Sequence, residues 1–187
     1  MAGEDRGREL EAAVAAVRAA SELCARVQGR LLAGETLTKG DDSPVTVADF
    51  AAQAVVCSVL GSELGTFEPG AFESGAFEPG AFEPGAFEPG AFEMVGEEDA
   101  ADLRGGDRAA LLDAVVELVR HQLGADVSPA AVLAAIDRGR ADGRSDRFWT
   151  LDPIDGTKGF LRGDQYAIAL ALVEAGEVVL GALGCPN

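Results

Sequence analysis

Apolar residues recur along the first third of this chain at steps of three and four. Leu10, Val14, Val17, Ala20, Cys24, Val27 and Leu31 fall on one helical face, and Gly34 follows as a C-terminal stop. Ser43-Pro44-Val45-Thr46 opens a second helix through Ala51, Val55, Val56 and Leu60, with Thr46 as the predicted N-cap. Val95 to Asp99 reads as a strand end running into an acidic loop. Leu111, Leu112, Val115, Val116, Val119 and Leu123 predict a third helix. Ser128-Pro129 then supplies an N-cap and first-turn proline for a short fourth through Val132, Leu133 and Ile136. Phe148 to Leu151 predicts a strand that stops at Asp152. Tyr166–Val173 and Val178–Leu183 predict a hairpin around Glu174-Ala175-Gly176-Glu177. The helix and strand patterns together imply an α+β domain.

One stretch obeys neither period. From Gly65 to Met94 a five-residue unit, Gly-Ala-Phe-Glu-Pro with small variations, is written six times, and it holds six of the nine phenylalanines. Proline in most units removes ladder donors and Pro-Gly steps favour turns, so helix and central strand are both excluded. Residues 65–94 are expected to form a low-complexity surface insertion within one domain spanning 1–187; a Phe-rich partner-binding element is the alternative.

Thirty-two acidic against fifteen basic residues give a formal charge of -17 over 187 residues, which argues against binding a nucleic-acid backbone. A small phosphorylated ligand stays admissible if cations offset the local charge. Cys24, Cys57 and Cys185 have neither zinc spacing nor even number, and are read as reduced core thiols. No apolar run reaches membrane-spanning length. The acidic N-terminus lacks a signal core and transit-peptide character, so a cytoplasmic location is expected. The final apolar strand has nothing after it, which reads as a C-terminal truncation. Trp149 is read as core, His121 as exposed or capping, and Lys39, Lys158 and Arg162 as solvated.

The chemistry concentrates in Asp152-Pro153-Ile154-Asp155-Gly156-Thr157-Lys158-Gly159-Phe160. Two carboxylates three residues apart, with a proline stiffening the backbone between them, offer hard oxygens to magnesium, and the Ile154 carbonyl offers a third. Gly156 permits close approach of an anion, and a helical turn beginning near Thr157 would direct amide groups at a phosphate. Glu97 and Glu98 form a second acidic site; Glu98 and Asp99 alone read as solvated loop charges. Asp49, three residues after Thr46, reads on its own as the partner in a capping box.

Ser43-Pro44-Val45-Thr46-Val47-Ala48-Asp49, Gly96-Glu97-Glu98-Asp99 and the Asp152–Phe160 run stand in the order found in the lithium-sensitive, inositol monophosphatase-like superfamily. Continuing through Leu161-Arg162-Gly163-Asp164-Gln165-Tyr166-Ala167, the chain resembles the 3'(2'),5'-bisphosphate nucleotidase branch, its plant members especially. The resemblance implies the N-terminal portion of a layered αβαβα sandwich. It implies Glu97, Asp152, Asp155 and the Ile154 carbonyl as Mg2+ ligands, Asp49 and Thr157 as the pair that deprotonates the attacking water, and Gly156 with Thr157 at the phosphate. The implied reaction removes the 3'-phosphate of adenosine 3',5'-bisphosphate, with lithium inhibition; the sulfated analogue and inositol polyphosphates are further substrates in the family. The family's second half carries a Trp-Asp motif that completes the metal site and lies outside this sequence, so a catalytically inactive remnant that binds metal or a partner is one alternative, and an inositol polyphosphate phosphatase with the same core is another. Oligomeric state is left open.

Overall fold

The structure, a computed structural model, describes residues 2–34, 44–64, 92–105, 108–124 and 126–187. Lys39, Ser43 and most of the repeat lie outside them. The elements are α1 (Ala2–Leu32), α2 (Pro44–Glu63), β1 (Met94–Val95), a 3-10 turn (Ala100–Leu103), α3 (Ala109–Leu123), α4 (Pro129–Asp137), β2 (Arg147–Asp155), α5 (Thr157–Arg162), β3 (Ala167–Glu174) and β4 (Glu177–Gly184). The strands form one sheet in the order β1-β2-β3-β4, with β1 parallel to β2 and the other pairs antiparallel. This is the expected α+β architecture.

Helix α2 is the hub. Val47, Ala48, Phe50, Ala51, Ala52, Val55, Val56 and Leu60 are all buried, so the helix is covered on nearly every side, as an interior helix must be. It packs on α1, α3, α4 and β2. The face that α1 turns inward is not quite the predicted one. Ala12, Ala13, Ala16, Val17, Ala20, Leu23, Cys24 and Val27 are buried, whereas Leu10 and Val14 are about half exposed at 47% and 52%. Alanines lead this stripe because small side chains let two helix backbones approach closely. Gln28 in α1 donates from Nε2 to the carbonyls of Phe160 and Asp164, at 3.0 and 3.4 Å, and so ties α5 and its exit to the first layer.

Two helix starts test the capping expectations. Ser128 caps α4 as predicted, accepting from the Ala131 N–H at 3.2 Å. Thr46 does not cap α2, because the helix is already under way at Pro44, a residue whose fixed φ and missing N–H suit a first turn. The capping-box reading of Asp49 falls with it, since Asp49 belongs to the second turn.

In the sheet, Trp149, Leu172 and Leu180 form one buried row and Leu151, Leu170 and Ala182 the next, facing the helices. The opposite face carries Thr150, Ala171 and Gly181, then Asp152, Ala169 and Leu183. The β3–β4 turn has Ala175 at φ 49° and Gly176 at φ 81°, the doubly positive geometry of a two-residue hairpin. Met94, the last residue of the expected insertion, is fully buried in β1, and Phe92 packs against the core. Trp149 is buried and His121 exposed, as read from the sequence. Cys24 and Cys57 are buried, but Cys185 is exposed and is no core thiol.

Candidate active site

Strand β2 does not stop at Asp152 as predicted; it runs to Asp155 with an irregularity inside the motif. Asp152 pairs with Ala169 and Asp155 with Ala167, so three steps on β2 oppose two on β3, the mark of a β-bulge. The bulge matters because strand side chains alternate between faces. On a regular strand, residues three apart point opposite ways, and one of these carboxylates would enter the helix-facing core. The extra residue resets the alternation: Pro153 and Ile154 are both buried, while Asp152 is half-buried and Asp155 exposed. Both carboxylates are thereby kept out of the core.

Glu97 approaches Asp152 from the loop that follows β1. Met94 is level with Trp149 and Val95 with Thr150; carried two residues further, this parallel register sets Glu97 beside Asp152. The two carboxyl groups act on each other electrostatically, and Asp155 adds its charge to both. Burial first, then the Asp152 charge, pushes Glu97 above the usual carboxylate range. Asp152 is also raised, by burial and by Asp155, against the opposing effect of the Ile154 N–H, which donates to its Oδ1 at 3.2 Å.

Asp49 joins from α2. Burial, followed by the charges of Glu98, Glu97 and Asp152, pushes it up to about 8. Glu98, read from the sequence as a solvated loop charge, is half-buried and pushed up to about 7 by burial and by Glu97 and Asp102. Its partial burial beside Glu97 corrects that reading. Its neighbour Asp99 has the local role instead, accepting from the Ala101 N–H at 2.8 Å to cap the 3-10 turn.

Gly156 turns the chain from β2 into α5 at φ 96°, ψ 39°, a left-handed conformation that favours glycine. Thr157 opens α5 as expected. Its hydroxyl donates to the Ile154 carbonyl at a long 3.5 Å; the expected link to Asp49 is not made among the described residues. Arg162 is exposed and turned to the Lys158 carbonyl and Asp164.

These oxygens fit a hard divalent cation. Asp152 and Asp155 both raise Glu97, and Asp155 raises Asp152, so the group is short of positive charge. Among the described residues no three acidic, imidazole or thiol side chains are drawn around one point. Magnesium does not require that, because it keeps several waters and takes one or two protein carboxylates.

The Gly96–Asn187 segment matches the family model described as the inositol monophosphatase family. A 3'(2'),5'-bisphosphate nucleotidase 1 of Arabidopsis thaliana is 44% identical to this chain, aligned over 96% of it and 47% of the relative. The Gly96–Asn187 segment is a domain of the inositol monophosphatase family. Other relatives include a 3'(2'),5'-bisphosphate nucleotidase of Oryza sativa, 43% identical over 100% of this chain and 48% of that protein, and one of Schizosaccharomyces pombe, 42% identical over 96% and 47%. The chain spans about half the length of these curated relatives. CysQ from Bacteroides thetaiotaomicron, a bacterial member of the inositol monophosphatase family, superposes with a TM-score of 0.46 at 19% identity, covering 95% of this chain and 42% of that one.

The matched inositol monophosphatase-family region contains Glu97, Asp152, Ile154, Asp155, Gly156 and Thr157, whereas Asp49 precedes it. Asp49 is tied to the site by the electrostatic coupling just described. Among the described residues, no helix is long and apolar enough to cross a membrane.

Proposed function

We propose that this chain carries the hydrolytic centre of a magnesium-dependent phosphomonoesterase that takes the 3'-phosphate from adenosine 3',5'-bisphosphate, yielding AMP and phosphate. The observation that supports this most directly is the electrostatic interaction of Glu97 with Asp152 and Asp155, carboxyls from two separate segments. The named activity of the relatives supports the choice of substrate.

Glu97, Asp152, Asp155 and the Ile154 carbonyl would hold Mg2+. When bound, the ion supplies charge for the phosphate oxygens and acidifies a water. Asp49 accepts the proton of the attacking water. Held at about 8 while its neighbours are uncompensated, its pKa falls toward the ionised form that a base needs once positive charge sits among them. The Thr157 hydroxyl orients that water, and the turn from Gly156 into Thr157 holds the phosphate. Water then bonds to phosphorus as the bond to the 3'-oxygen breaks, the departing oxygen taking a proton from solvent. Lithium sensitivity, action on the sulfated analogue and the cytoplasmic placement expected from the sequence belong to the same reading.

A second reading, metal binding without turnover, is favoured by the Thr157 hydroxyl pointing to Ile154 rather than Asp49. Phosphate release from adenosine 3',5'-bisphosphate with Mg2+, with and without lithium, separates the two. Turnover that vanishes in Asp152→Ala supports the first. Magnesium binding with no release from the full chain supports the second, and no binding at all rejects both.

A further inference from the structure

Gln53 lies one helical turn beyond Asp49 on α2, on the same face, and its side chain is completely buried at 0% exposure. An interior amide costs free energy unless its polar atoms are paired. Here they are: Nε2 donates to the Glu98 carbonyl at 2.7 Å and to the Ile136 carbonyl at 3.0 Å, and Oε1 accepts from the Glu98 N–H at 3.0 Å. Both amide hydrogens are in use. The side chain therefore grips both backbone groups of one residue, much as a neighbouring strand would.

The surrounding backbone makes room for this amide. A Cβ on Gly96 would stand 2.5 Å from Gln53 Oε1, and one on Gly139 would stand 2.6 Å from Nε2. The two glycines are themselves joined, Gly96 N–H donating to the Gly139 carbonyl at 2.8 Å. Glu97 thus has both chain neighbours pinned, Gly96 by Gly139 and Glu98 by Gln53. What is left to Glu97 is the direction of its side chain, toward Asp152.

We propose that Gln53 is a positioning residue for the cation site, holding the Gly96–Glu98 backbone so that the Glu97 carboxylate meets Asp152. This rests on the metal-dependent reading above, and it deepens that reading by naming a residue that touches neither metal nor substrate. A purely structural amide would affect stability and leave the affinity of the folded protein for metal alone. A positioning amide changes that affinity, as supporting partners of metal ligands do by roughly 10- to 100-fold.

The test titrates the full chain with Mn2+, followed by electron paramagnetic resonance of the free ion and by displacement with Mg2+. The variants are Gln53→Met, which removes all three hydrogen bonds at similar length, and Gln53→Asn, which keeps an amide but shortens its reach. Leu23→Ala, a core truncation in α1, is the stability control. The expected result is Mn2+ binding that is abolished in Asp152→Asn, weakened roughly 10- to 100-fold in Gln53→Met and less in Gln53→Asn. Leu23→Ala should lower Tm with affinity unchanged. Binding that depends on Asp152 yet is as tight in the folded Gln53 variants as in the parent overturns the role of Gln53 alone. Should Gln53→Met not fold, Gln53→Asn decides by the same criterion. If the parent binds no Mn2+, or binds it independently of Asp152, the phosphatase reading fails and this inference goes with it.

Discussion

Glu97 stands against Asp152 because β1 runs parallel to β2 and its register, carried two residues past Val95 and Thr150, brings the two carboxyls side by side. Neither residue alone marks a site. Their adjacency concentrates negative charge that folding must tolerate, and this gives the molecule measurable properties.

The first is a pH dependence opposite to that of a typical salt-bridged protein. Asp49 and Glu98 are raised to about 8 and about 7, and Glu97 and Asp152 are raised as well. The folded state therefore binds more protons than the unfolded state between the ordinary carboxylate range and those values, so stability is full at low pH and lost as pH rises through them. Glu174, lowered by Arg6, has the opposite sign and acts only below its ordinary range. In EDTA, Tm should fall by roughly 5–10 °C from pH 5 to pH 9, allowing for solvent screening of part-exposed groups. Saturating Mg2+ should flatten the slope. Differential scanning calorimetry at several pH values reads both, and a metal-free Tm that climbs through this interval would contradict the site's electrostatics.

Glu97→Gln separates stability from function. The amide can donate to Asp152 and removes one repelling charge, so metal-free Tm at pH 8 should rise by a few degrees, about 1 kcal/mol. Mn2+ binding and phosphate release should fall together. A variant that gains stability and keeps its metal response would show that Glu97 is no ligand.

Much of the fold was legible in sequence because its elements carry strong periodicity: the hairpin, α3 and α4 lie where the pattern put them. The departures have physical reasons. Leu10 and Val14 lie among the buried Ala12, Ala13 and Ala16 but on the side of α1 turned away from its partners, so following the large apolar residues picks the wrong face there. The Asp152–Asp155 bulge cannot be inferred from alternation, because it is a break in alternation. The sequence reads Glu98 as solvated because its burial comes from Gln53 on α2, far away in sequence. Asp49 reads as a cap partner only if α2 begins at Thr46, whereas the helix starts at Pro44.

Gly139 and Gln53 should be energetically coupled. Gly139→Ala alone pushes a methyl into the buried amide and should cost about 1–3 kcal/mol. In a Gln53→Ala background the obstructing atoms are gone, and the same substitution should cost far less. A double-mutant cycle in urea measures the difference, and strict additivity would refute the packing described.

The hairpin turn offers a stabilising change. Ala175 sits at φ 49°, where a side chain is strained, directly before Gly176. Ala175→Asn matches the residue preference of this turn and should add about 0.5–1 kcal/mol, seen as a higher urea midpoint with an unchanged slope.

In a regular ladder each carbonyl is committed to the adjacent strand. Interrupting the β2–β3 ladder between Asp152 and Asp155 leaves the Ile154 oxygen facing the Thr157 hydroxyl. An oxygen supplied in this way belongs to the main chain, so exchanging Ile154 for Val or Leu leaves it in place. Only a change in chain length, one residue gained or lost between the two aspartates, can take it away.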